Sequence, residues 1–145
     1  MNTSPYLVPR IMYRILIICL IMTASCSSPE KLLKSDKGDR IFFGSKGGFT
    51  NMSIDFVLFE NGSICRLKND IVIKTGKISK EEVREIEATL EEINFMSLNT
   101  DEPGNMTYYV SFVRGDSRNA AQWSDHDSNP QLRELYVRLM NLVKE

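Results

Sequence analysis

Hydrophobic and polar positions change period several times along this chain of 145 residues. From Met52 to Glu60 they alternate, with Met52, Ile54, Phe56 and Leu58 on one side. Val57 and Phe59 give the other side partial cover as well, so the segment reads as a strand. Asn61-Gly62 supplies the two positive-φ positions of a tight hairpin turn, and Ser63 to Leu67 returns. Lys68-Asn69-Asp70 turns again into Ile71-Val72-Ile73. Upstream, Ile41-Phe42-Phe43 predicts a short strand followed by a Gly44-Ser45-Lys46-Gly47-Gly48 loop.

The period then becomes helical. Ser79 and Glu82 stand at capping-box spacing, with Ile78 and Val83 at the staple positions. Val83, Ile86, Leu90 and Ile93 follow on one stripe, which predicts a helix over Lys80 to Asn94. Glu102-Pro103-Gly104-Asn105 fits a type II turn. Met106 to Arg114 alternates again, with Tyr108 and Tyr109 pointing to opposite faces. Gly115-Asp116 turns the chain, and Arg118 to Ser124 returns with Trp123. Asn129-Pro130 opens a last helix, whose apolar face is Leu132, Leu135, Tyr136, Leu139, Leu142 and Val143. Hairpins dominate the strand connections. The prediction is a single α+β domain: an antiparallel sheet of about five to six strands with two helices packed on one face.

The first 25 residues follow another logic. Arg10 and Arg14 flank the apolar run Ile15 to Met22, which leads into Thr23-Ala24-Ser25-Cys26. The run is far too short to cross a bilayer, which takes about 20 apolar residues. A basic start, an apolar stretch and small residues mark a secretory signal. A cysteine placed directly after them resembles a bacterial lipobox, although Thr23 stands where Leu is usual. The expected organisation is a signal peptide over 1–25, a flexible tether over 26–40 and a globular domain over 41–145. Cys26 would carry covalent lipid and place the domain in the cell envelope, lipid-anchored to a membrane. Ser27 after it carries no acidic retention signal of the enterobacterial kind, which favours the outer membrane.

Charge and cysteine content narrow the function classes. The leader holds two basic residues and no acids, so residues 26–145 carry 16 Lys+Arg against 19 Asp+Glu, a formal −3. That is no footprint for nucleic acid. With Cys19 in the leader and Cys26 lipidated, Cys65 stands alone, which excludes a disulfide within the domain. It reads as a small buried hydrophobe in a strand. The single histidine, His126, lies in Ser124-Asp125-His126-Asp127-Ser128, where adjacent residues converge poorly on one metal ion. Glu81, Glu82, Glu85, Glu91 and Glu92 read as the solvated side of a helix. The expectation is a domain that is not an enzyme, with no metal and no cofactor beyond the lipid.

Gly47-Gly48-Phe49 is the candidate binding segment. Two glycines open backbone angles closed to other residues and let another chain come close. An aromatic after them can pack in the core or anchor in a partner's pocket. Gly47-Gly48-Phe49-Thr50, Glu60-Asn61-Gly62, Glu102-Pro103-Gly104-Asn105, Tyr108 and Trp123 together resemble a group of small lipoproteins of the Bacteroidota cell envelope. More loosely, Gly47 to Val143 resembles the emfourin family of protein inhibitors of thermolysin-like metalloproteases. That resemblance implies insertion of Gly44 to Phe49 into a protease cleft, with Phe49 in its specificity pocket. Emfourin-like chains often continue Phe-Ala-Gly, where this one has Phe49-Thr50-Asn51. The leading expectation is therefore a lipid-anchored envelope protein with a protein- or peptide-binding domain. The alternatives are protease inhibition and a structural part in an envelope assembly.

Overall fold

Six alternating segments become six strands: β1 (Arg40–Gly47), β2 (Met52–Phe59), β3 (Ser63–Lys68), β4 (Ile71–Lys77), β5 (Met106–Arg114) and β6 (Ser117–Trp123). They form one antiparallel sheet in the order β4-β3-β2-β1-β5-β6. The computed structural model describes residues 38–48, 52–69, 71–124 and 129–143, together with Leu33. Among the described residues two helices lie beside the sheet, α1 (Lys80–Glu92) and α2 (Pro130–Asn141), with a short 3-10 turn at Phe95–Ser97. The fold is the α+β sheet-and-helix arrangement that the hydrophobic pattern predicts. Among the described residues, no helix is long and apolar enough to cross a membrane.

Both helices begin where their caps stand. The Ser79 hydroxyl accepts from the Glu82 amide while the Glu82 carboxylate accepts from the Ser79 amide. Asn129 accepts from the Gln131 amide, with Pro130 in the first turn. α1 stops two residues short of the expected Asn94 because Asn94 takes a left-handed conformation (φ 50°) just past Ile93, the helix's C-cap. That reversal swings Phe95 into the core, where it is fully buried. The Asn119 side-chain amide holds the reversal by donating to the Phe95 and Leu98 carbonyls at 2.6 and 2.8 Å.

One face of the sheet lies under both helices. Ile41, Phe43, Phe56, Leu58, Ile64, Val110, Phe112, Ala121 and Trp123 meet Val83, Ile86 and Leu90 of α1 and Leu132, Leu135 and Leu139 of α2. Trp123 packs edge-on against Tyr136, with ring centres 5.5 Å apart, and Tyr108 closes the cluster from β5. Burying these side chains drives the collapse, at about 25 cal/mol per Å2 of apolar surface. Arg114 ties the rim of this layer, donating to Asp39 and Glu91 at 2.8 Å each.

Three local expectations differ from what forms. Gly44 to Gly47 is not loop but the second half of β1, because β2 and β5 supply hydrogen-bonding partners on both sides. The β2–β3 connection uses three residues, Glu60 to Gly62, and only Gly62 takes positive φ (81°). Its amide donates to the Phe59 carbonyl at 2.8 Å, as in a hairpin closed by a glycine bulge. Gly104 does not take the positive φ of a type II turn. Instead it bonds twice to the Thr107 hydroxyl, and a Cβ there would lie 2.5 Å from that of Ser124.

Candidate functional site

Alternation forces every second strand residue onto the face opposite α1 and α2. On its β2–β3 side this open face is apolar. Val57, Phe59 and Cys65 are buried there, with Phe42, Leu67 and Val72 half-buried around them. Leu33 packs against the same cluster, and its carbonyl accepts from Arg40 Nη1 at 3.3 Å. Segment 26–40, read as a free tether, thus holds one residue seated on the sheet. Burial raises the Cys65 thiol pKa, with Lys74 opposing in part, so it is a packed hydrophobe and not a nucleophile.

Towards β5 and β6 the same face turns polar. Gly44 is paired with Asp55 on one side and Tyr109 on the other. These two residues stand about 10 Å apart on the backbone, two strand spacings. No side chain rises from Gly44 between them, so Tyr109 lies across β1 and its hydroxyl donates to Asp55 Oδ1 at 2.6 Å. Glycine is needed at 44 for a second reason: a Cβ there would collide with the Ile54 carbonyl oxygen. Burial, then the hydrogen bond to Asp55 and its charge, drive the Tyr109 pKa far up, so the phenol stays a donor.

The Tyr109–Asp55 pair divides two grooves. One, of about 670 Å3, is lined by Leu33, Met52, Leu67, Lys68 and Val72. The other, of about 600 Å3, is lined by Lys46, Asp101, Ser111, Arg118, Asn119 and Gln122. Tyr109 and Asp55 border both. In the polar groove Arg118 donates to the Ser111 hydroxyl at 3.3 Å, and Gln122 donates to Asp101. Neither Lys46 nor Arg118 forms an ion pair among the described residues. The groove therefore presents cations outside those ion pairs, amides and carboxylates side by side, which is equipment for hydrogen-bonding a polar chain.

The residues singled out from sequence fall elsewhere. Gly47 and Gly48 take positive φ (102° and 74°) where β1 turns towards β2, and the Gly48 amide donates to the Asn105 carbonyl at 2.7 Å. A Cβ on Gly47 would collide with that same carbonyl, so the chain that approaches these glycines is the start of β5. With Gly44 to Gly47 paired on both sides, only residues from Gly48 on lie outside the ladder. Phe49, Cys26 and the Asp125-His126-Asp127 run lie outside the described residues. Trp123 is buried beneath the helices, and no group of three or more metal-ligating side chains exists among the described residues.

Sequence reasoning missed the Tyr109–Asp55 pair. The one available signal was Asp55 itself, a lone acid between hydrophobic positions in the middle of β2. No protein-family model matches this chain, and no curated protein matches it either.

Proposed function

We propose that this chain is a lipid-anchored protein of the bacterial cell envelope whose domain binds a protein or peptide, without catalysis, through the polar half of its open sheet face. The observation that carries the binding site is the Tyr109–Asp55 pair, built across Gly44 on the face opposite α1 and α2 and bordering a polar groove. A buried apolar face is needed to hold a sheet together. A fixed phenol–carboxylate pair beside Lys46 and Arg118 is not, and it adds donors and acceptors in set positions. Support for the anchor comes from the leader and from Cys26 at its end.

The test is site-specific photo-crosslinking of the full-length protein in its own envelope. The photoreactive residue is placed at Gln122 in the polar groove, at Val137 on the exposed side of α2, or at Phe49 in the β1–β2 connection. A discrete adduct from Gln122 alone supports the reading. An adduct from Phe49 alone moves the site to the segment that the inhibitor resemblance favours. Adducts only from Val137, or none from any position, overturn it. Cys26 is tested separately, since replacing it by Ala should stop lipid attachment and release the protein from the membrane fraction.

A further inference from the structure

The strands β3 and β4 differ in charge from the rest of the molecule. Residues 63–80 contain five cations, Arg66, Lys68, Lys74, Lys77 and Lys80, against one acid, a formal +4. The remainder of residues 26–145 carries eleven cations and eighteen acids, −7. None of the five enters an ion pair among the described residues, whereas Arg84, Arg114 and Arg138 all do. β4 is also an edge of the sheet, with no strand beyond it among the described residues. The β6 edge is partly closed by Thr100 to Glu102, which bond to Gln122. On β4 stand two large apolar side chains in solvent, Ile71 (60% exposed) and Ile73 (47%), with Met52 also exposed on β2.

Position along the chain supplies the second observation. Leu33 lines the apolar groove together with Met52 and Lys68, so Leu33 meets the sheet at this corner. Leu33 lies only seven positions after Cys26. Fully extended they span about 25 Å, and as a flexible coil about 15 Å. A lipid on Cys26 therefore holds the β3–β4 corner within that distance of the bilayer. Ile73 pairs with Arg66, and Arg66 with Phe56 of the helix-covered face, so the isoleucines rise on the helix side of this edge while Leu33 packs on the other, and the edge is apolar on both sides.

We propose that the β3–β4 corner, with its unpaired cations and exposed isoleucines, is the surface on which the domain lies against an anionic membrane. The inference rests on the lipid-anchored reading above. Cations near an anionic leaflet add attraction, and apolar side chains beside them enter the headgroup layer. A second copy of the chain is a poor occupant, because pairing two β4 edges would set lysines against lysines. Docked in this way, the domain keeps the polar groove, across β1 and β5 from this corner, turned to the aqueous side.

The test uses full-length lipidated protein reconstituted into phosphatidylcholine vesicles with or without phosphatidylglycerol. A bimane label is placed at Ile73→Cys or at Val137→Cys, and quenching by headgroup spin-labelled lipid is read. The Ile73 label should be quenched about threefold more than the Val137 label in anionic vesicles. That difference should collapse in neutral vesicles, in a Lys68→Glu/Lys74→Glu/Lys77→Glu variant, and in about 1 M salt, where the screening length is about 3 Å. Equal quenching of both labels in protein that floats with the vesicles overturns the proposal. So does slower amide exchange in β4 on adding a poly-glutamate peptide but not anionic vesicles, which would reassign the edge to acidic peptides. If the Cys26 peptide carries no lipid by mass, the anchor reading fails by itself. The same labels on that unlipidated chain with anionic vesicles then decide the surface, and stronger Ile73 quenching upholds it.

Discussion

The two faces of this sheet are made by the same strands and differ in what they are for. The helix-covered face gathers sixteen buried hydrophobic residues from every layer of the domain. The open face buries three, Val57, Phe59 and Cys65, and then gives way to Tyr109, Asp55 and a polar groove. A sheet needs one buried face to be stable, and once that is supplied the other is free to carry chemistry. The comparison teaches where to look when motifs are silent: at polar groups whose positions are fixed and whose presence the core does not require.

Equal substitutions on the two faces should therefore cost unequal amounts. Leu135→Ala removes a side chain 1% exposed under the sheet and should lower unfolding stability by about 2–5 kcal/mol in a urea titration. Leu67→Ala, half-buried on the open face, should cost about 1 kcal/mol or less, since it gives up only part of that transfer energy. Equal losses would make the open face a second core and remove the contrast. Gly44→Ala tests the hinge between the faces. Its Cβ meets the Ile54 carbonyl in the centre of the sheet, so about 1–3 kcal/mol should be lost through displacement of β1. The Tyr109–Asp55 contact should loosen with it, read as faster tyrosine ring reorientation by NMR.

At the rim of the covered face, Arg114→Ala should cost about 1–2 kcal/mol at neutral pH, discounted because the side chain is well exposed. Its guanidinium faces Asp39 and Glu91, and burial and then the Asp39 charge already raise the pKa of nearby Glu87. A carboxyl with a raised folded-state pKa begins to oppose folding as pH rises above its unfolded value, and the penalty is complete once pH passes the folded one. Arg114 opposes that rise, so the deficit of the variant should be smaller at acid pH, where Glu87 is neutral in both states, than at pH 7. A pH-independent deficit would show that Arg114 acts through its packing on the Phe112 ring, 4.8 Å away.

Much of the covered face was legible because its signals are local. The Ser79–Glu82 box, the Asn129-Pro130 start and the alternation of Met106 to Arg114 each occupy one element, and each formed where it was read. Val57 and Phe59 were likewise read as partly covered. What was illegible depends on partners distant in sequence. Gly44 to Gly47 looks like loop until β2 and β5 both pair with it. The Tyr109–Asp55 bond joins residues 54 positions apart across a strand between them, a register that no periodicity encodes. Phe95 turns inward only because Asn119 on β6 holds the preceding reversal. Leu33 reaches the open face from a stretch whose composition reads as linker.

The subtlest test asks whether the polar half of the open face is as fixed as its geometry implies. Tyr109→Phe removes the hydroxyl that Asp55 accepts from and should cost about 0.5–1.5 kcal/mol at pH 7. The sign of the pH dependence then distinguishes a held phenol from a surface one. In the folded protein the Tyr109 pKa is driven up by burial and by the Asp55 bond, while in the unfolded chain it ionises near 10. Above that pH the folded state holds a proton that the unfolded state has released, so wild-type stability falls by about 1.4 kcal/mol per pH unit from this group. The Phe variant lacks that slope, whereas Tyr136, also raised by burial, contributes equally to both proteins. The gap between them should therefore close within about one pH unit above 10 and then reverse. A gap that stays constant to pH 11 would mean that the phenol titrates freely, and the pair dividing the grooves would then be a surface contact with no fixed geometry to offer a partner.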